Sequence, residues 1–152
     1  MYLATNTSNY EPLDTYYRKG ETLLDLLIEA MKDEKHDRAK YKRMMELADS
    51  EKVRKQIKFA YDDEGKHYKM FKYIYYMLTG KIADIKTPKV EHIDCLMPAI
   101  ESSIDGELEA VELYRKIKAM LPFIQLRDML YEIITDEQEH ATRFVYLYSM
   151  LK

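Results

Sequence analysis

Glu64 and His67 stand three residues apart, and Glu137 and His140 repeat the pair 73 positions further on. Residues at i and i+3 share one side of a helix, so each pair can offer a carboxylate and an imidazole to the same metal ion. An aspartate precedes each glutamate (Asp63, Asp136), a further glutamate lies 30 residues upstream of each (Glu34, Glu107), and a tyrosine follows each upstream glutamate by seven (Tyr41, Tyr114). Ten residues thus recur at one offset. A single Glu-x-x-His in a charged chain is weak evidence, but a duplicated set with matched distant members is specific. Four carboxylates against two divalent cations balance in charge, and the mixed O/N donor set suits iron or manganese; zinc usually takes fewer ligands in a tetrahedral arrangement. Asp63 and Asp136, four residues before His67 and His140, are placed to orient a ring N–H on their own hairpin or on the opposite one.

The elements that must carry these residues are legible as seven-residue repeats in four segments. Val53, Ile57, Ala60, Glu64, His67, Phe71, Ile74 and Leu78 follow steps of four and three, and so do Leu126, Leu130, Ile133, Glu137, His140, Phe144, Leu147 and Leu151. The first segment reads Leu24, Leu27, Met31, Glu34, Arg38, Tyr41, Met45 and Ala48, and the third Ile93, Met97, Ile100, Ile104, Glu107, Val111 and Tyr114. In each stripe the polar interruption falls at mid-length, on the inward face. Asp49 and Ser50, with Ser50 as an N-cap, divide the first pair of helices. Pro122 divides the second pair and suits a first helical position. Gly80 ends the second helix.

The spacing predicts helices near 14–48, 51–79, 92–120 and 122–151, forming hairpins over 14–79 and 92–151 joined by a linker over 80–91. Residues 1–12 read as a polar tail and 13–152 as one helical domain. Glu34 and Glu64 each lie about 14 residues, roughly 21 Å, from their shared turn and so meet at one depth; Glu107 and Glu137 do the same about Pro122. Packing the hairpins by their stripes brings four carboxylates and two imidazoles into one core layer. Bare charges there would cost far more than an ordinary domain's stability, so a positive partner is implied. A linker of about eleven residues reaches about 36 Å, enough for a local turn or for a crossover.

Composition agrees. The chain has 152 residues, 34% charged and 47% hydrophobic, with 4 Gly and 4 Pro, the balance of an all-α globular domain. Its net charge of −3 is dispersed, which gives no electrostatic support for nucleic acid or anionic membrane. The lone Cys95 excludes an internal disulfide and a Cys-x-x-Cys knuckle. A polar amino terminus and the absence of a long apolar run make a cytoplasmic protein the expectation. Other readings of single residues stand beside the functional ones. Tyr41 and Tyr114, in a chain with 14 Tyr, serve equally as core filler or in a catalytic role behind the ligands, relaying electrons or hydrogen-bonding a bound peroxide or a ligand oxygen. His36 and His92 fall outside the repeat and read as surface residues, and Asp37 is a candidate extra ligand.

The set Glu34, Glu107, Glu64 with His67, and Glu137 with His140 resembles the ferritin-like di-iron carboxylate proteins, most of all rubrerythrins, over nearly the whole chain from about Leu13 to Leu151. The resemblance implies a ferritin-like four-helix bundle made of two duplicated antiparallel hairpins, with residues 80–91 crossing along it. It implies two iron ions, or manganese as the alternative, bridged by Glu64 and Glu137, with Glu34 and Glu107 binding one ion each. It further implies an oxidoreductase that reduces hydrogen peroxide or O2, a separate electron donor, and a homodimer. The chain lacks the four cysteines of a rubredoxin-like site, has Ala110 where rubrerythrins tend to carry an extra glutamate, and ends before the fifth helix usual in cage-forming ferritins. A non-catalytic protein that stores or senses metal, or a helical interaction protein with a vestigial site, is the alternative.

Overall fold

A computed structural model of the chain describes residues 21–152. Four helices follow one another: α1 (Leu23–Leu47), α2 (Glu51–Thr79), α3 (Leu96–Met120) and α4 (Ile124–Leu151). The polar tail and the predicted start of the first helix near 14 lie outside the described residues. Within them, Thr22 caps α1 in a reciprocal arrangement: its hydroxyl accepts from the Asp25 N–H at 3.2 Å, and the Asp25 carboxylate accepts from the Thr22 N–H at 3.0 Å. Ser50 caps α2 through the Val53 N–H at 3.2 Å. Gly80 closes α2 in the left-handed region, with φ of 68°.

Two predicted starts move inward. The third helix begins at Leu96 rather than near 92, because the Pro98 ring has no N–H for the carbonyl of residue 94 and would clash with it. The fourth begins at Ile124, with Phe123 as N-cap, so Pro122 sits before the helix rather than opening it. Its role is to hold Leu121 extended, which ends α3.

The helices form an all-α four-helix bundle. α1 packs on α2 and on α3, and α4 packs on α3 and on α2, every neighbouring pair running antiparallel. α2 and α3 consequently run in the same direction, and residues 80–95 must travel the length of the bundle between them. They do so along α1: Lys35 Nζ donates to the Ile85 carbonyl at 2.5 Å, and Arg43 Nε donates to the Ile93 carbonyl at 3.1 Å. Ala83, Ile85 and Ile93 are buried on the way.

The apolar core is in two parts. One holds Met31, Phe71, Tyr114 and Leu130; the other holds Tyr41, Ile57, Ile100 and Phe144. Between them lies the polar layer. The stripes of α2 and α4 face inward as predicted, save partial exposure at Leu78 and Leu151. The stripe of α1 needs correction, since Leu24 and Arg38 are exposed and Met45 half-buried, while Leu26, Ala30 and Met44 point inward. Besides its two helical neighbours, α1 carries the 80–95 segment, whose Ala83, Ile85 and Ile93 join its apolar clusters, so its buried face is wider than a single seam. Among the described residues, no helix is long and apolar enough to cross a membrane.

Candidate metal centre

Each helix contributes at mid-length to the layer: Glu34 from α1, Glu64 and His67 from α2, Glu107 from α3, and Glu137 and His140 from α4. All six are at most 2% exposed. Their donor atoms form two groups, Glu34, Glu64, His67 and Glu137 in one and Glu64, Glu107, Glu137 and His140 in the other, the atoms within each lying no more than 4.8 Å apart. Glu64 and Glu137 belong to both. Glu34 and Glu107 each belong to one.

The imidazoles turn Nδ1 inward. His67 Nδ1 lies 2.9 Å from Glu137, 3.5 Å from Glu34 and 3.7 Å from Glu64. His140 Nδ1 lies 3.4 Å from Glu64, 3.5 Å from Glu107 and 3.8 Å from Glu137. Each Nε2 meets an aspartate of the opposite hairpin: His67 with Asp136 at 3.0 Å, and His140 with Asp63 at 2.9 Å. Of the two aspartate arrangements open to the sequence, the structure adopts the crossed one. Such a contact sets which ring nitrogen carries the proton and leaves Nδ1 free as a donor to metal.

The tyrosines cross as well. Tyr41 on α1 donates to Glu107 on α3, and Tyr114 on α3 donates to Glu34 on α1 at 2.6 Å. Each thus fixes the glutamate that belongs to a single group. Behind them, Tyr41 packs on Phe144 with ring centroids 5.1 Å apart, and Tyr114 on Phe71 at 4.9 Å. Phe71 and Phe144 also obey the offset of 73, so the aromatic floors of the layer are duplicated with it.

After all these bonds are made, Glu34 Oε2, Glu64 Oε1, Glu107 Oε2, Glu137 Oε1, His67 Nδ1 and His140 Nδ1 remain buried without a hydrogen-bond partner. Buried polar atoms are seldom left so, and here each of the six side chains leaves one inward atom of this kind. Burial together with the neighbouring carboxylates pushes the Glu64 and Glu137 carboxyls well above their ordinary range. Burial works against a charged imidazole, yet Asp63 and Glu107 outweigh it and push His140 up to about 10; His67 moves the same way under Asp136 and Glu137. Burial also raises Glu34, but the close approach of Glu64 and His67 and the hydrogen bond from Tyr114 hold it below the usual value. Without added cations, the layer resists full ionisation.

Lys66 is the member that the repeat does not reveal. Its ammonium lies 2.8 Å from Asp136, 3.3 Å from Asp63 and 3.1 Å from Glu132, pinning both orienting aspartates. Its counterpart at the fixed offset is Glu139, of opposite charge. Asp63, His67 and Asp136 also form a compact group, but Lys66 supplies positive charge to both aspartates there. Asp37 joins neither ligand group: it pairs with His36 at 2.8 Å at the rim of the α1/α3 groove. His92 is exposed beside Asp94 at 2.7 Å. Lys40 is a further buried cation outside the repeat, donating to Ser102 at 3.0 Å.

No family model matches the chain. It is similar to the uncharacterized protein YhjR of Bacillus subtilis, with 29% identity over 138 residues, 91% of this chain and 94% of that protein. Among solved structures, a hypothetical protein from Pyrococcus furiosus is similar in fold, with a TM-score of 0.78 and 20% identity, covering 92% of this chain and 95% of that one. A conserved hypothetical protein from Mycobacterium tuberculosis has a TM-score of 0.71 and 14% identity, covering 86% and 99%. The two structures show that this bundle is a shared fold.

Proposed function

We propose that the protein is a dinuclear non-haem metal protein of the ferritin-like type, an oxidoreductase that reduces hydrogen peroxide or O2 at two iron ions, with manganese as the alternative metal. The observation that carries this reading is the set of six buried inward donor atoms that make no hydrogen bond, divided into two groups that share Glu64 and Glu137. The donors fit the metals. Four carboxylates and two imidazole nitrogens are the hard-to-intermediate ligands that Fe(II) and Mn(II) accept, and two divalent ions match four carboxylate charges. Glu64 and Glu137 would be the shared ligands, and Glu34 with His67, and Glu107 with His140, would complete one ion each. When bound, two ferrous ions supply the two electrons that peroxide reduction to water requires.

The remaining residues act on the ligands. Asp63 and Asp136 hold the imidazoles with Nδ1 inward, and Lys66 holds the aspartates. Tyr41 and Tyr114 fix one oxygen of Glu107 and Glu34 and turn the other toward the centre. The two apolar clusters exclude water above and below. A separate protein or small molecule would return the electrons, since the chain lacks cysteines for an iron–sulfur relay. The test is elemental analysis after anaerobic reconstitution, with Glu64→Ala and Glu137→Ala alongside, followed by peroxide turnover with a supplied reductant. About two ions per chain, lost in both variants, and turnover that follows metal content are expected. Two ions without turnover would point to storage or sensing, and no metal in any preparation would leave a helical interaction protein.

A further inference from the structure

Between α1 and α2 a cleft of about 500 Å³ opens from solvent, and Glu34 and Glu64 are among the residues that line it. Both are buried and both carry an unpartnered oxygen, so they form the cleft's inner end. Its outer part is cationic, with Lys35, Arg38, Lys42, Lys69 and Lys72. None of the five is ion-paired among the described residues, although Arg54, Lys58 and Lys66 on α2 are. The Arg38 guanidinium lies over the Tyr61 ring at 4.7 Å and against the backbone at Gly65, where a Cβ would come within 3.0 Å of it. Lys35 and Lys72 flank the Tyr68 ring at 5.0 and 5.7 Å. The groove on the other side of α1, toward α3, is of opposite character, with Glu29, Asp33, Asp37, Asp105, Glu109 and Glu112 along about 840 Å³.

The duplication supplies an internal control. At the offset of 73, all six proposed ligands recur, but Lys35, Arg38, Lys69 and Lys72 correspond to Leu108, Val111, Thr142 and Val145; only Lys42 has a basic counterpart, Arg115. Gly65 corresponds to Gln138. The positive cleft therefore belongs to one hairpin alone and is not needed to form the metal layer. A cationic wall without ion pairs among the described residues, around a concavity of this size, is suited to a small anion, and the tyrosine rings suit an organic one.

We propose that the α1/α2 cleft binds a small oxyanionic ligand, a carboxylate or phosphate compound, gripped by Arg38 and its lysine neighbours with its inner end at Glu34 and Glu64. This deepens the preceding reading and rests on it only in taking metal ions to stand at that inner end. There, cations would offset the charge of Glu34 and Glu64, so metal loading and anion binding should strengthen each other.

The test is calorimetric titration with benzoate and, separately, inorganic phosphate. It uses the full chain with and without Mn(II), after metal content has been measured. Arg38→Gln/Lys69→Gln is compared with Lys55→Gln/Lys89→Gln, which removes the same charge from exposed positions outside the cleft. The expected result is binding of at least one probe that weakens about tenfold or more in the cleft variant alone, falls with added salt and is tighter with Mn(II) bound. The tighter probe names the oxyanion class. No binding of either probe, or equal weakening in both variants, would overturn the proposal. Cleft-dependent binding to a chain that holds no metal would support the cleft and count against the dinuclear reading; two ions without cleft-dependent binding would do the reverse.

Discussion

Asp63 and Asp136 decide which nitrogen of His140 and His67 faces the inward carboxylates, and they do so across hairpins. Asp63→Asn and Asp136→Asn keep all six ligands yet should each weaken metal binding by about 10–100-fold, as measured by competition with a chelator. Unchanged affinity would show that the rings are held by packing instead. Tyr114→Phe leaves a Glu34 oxygen buried without its donor and should destabilise the metal-free protein by about 2 kcal/mol in urea unfolding. A loss under about 0.5 kcal/mol would return Tyr114 to the role of core filler. The convergence of the four glutamates and two histidines was legible because their spacing repeats and their stripes place them inward. The crossed aspartate contacts were not, because four residues along a helix is as good a distance as the gap between helices. Lys66 left no trace in the repeat, since its counterpart is Glu139 and its partners come from two helices.

The helices owe their ends to local signals that are readable one at a time. Gly80 adopts φ of 68°, and a Cβ there would meet nothing within 4 Å, so Gly80→Ala carries a conformational cost only, about 1 kcal/mol by thermal or urea unfolding. Ser50→Ala removes the cap on the Val53 N–H and should cost about the same. Stability unchanged in both would mean that tertiary packing, not the local signals, ends these helices. Prolines were harder to read. Pro98 lies within the first turn of α3 and Pro122 before α4, and the apolar pattern on either side looks alike in both cases. The α1 stripe in the sequence follows one seam, whereas the 80–95 segment lying on α1 beside α2 and α3 widens the buried face and leaves Arg38 at the edge of the cleft. The direction of the crossover was open from length alone; what settles it is the anchoring of Ile85 and Ile93 to α1.

The bundle as a unit must accommodate four carboxylates between two apolar clusters, and its response to pH follows. Glu64 and Glu137 have raised values when folded, so the folded metal-free chain holds protons that the unfolded chain releases above about 4.3. His140, raised to about 10, contributes stability that is complete below about 6.5 and lost as pH rises toward 10. Glu34, Asp63 and Asp136 are lowered, and their contributions are already complete above about pH 5. Between pH 5 and 9 the signs agree. The urea midpoint of metal-free protein should fall across that range, and metal binding should release protons. A midpoint that rises would contradict this electrostatic account. The central claim, that two ions share Glu64 and Glu137, is tested most directly by anomalous scattering at the metal edge from crystals of the reconstituted protein. The account predicts two peaks, one among Glu34, Glu64, His67 and Glu137 and the other among Glu64, Glu107, Glu137 and His140. A single peak, or one beside Asp63, His67 Nε2 and Asp136, would contradict it.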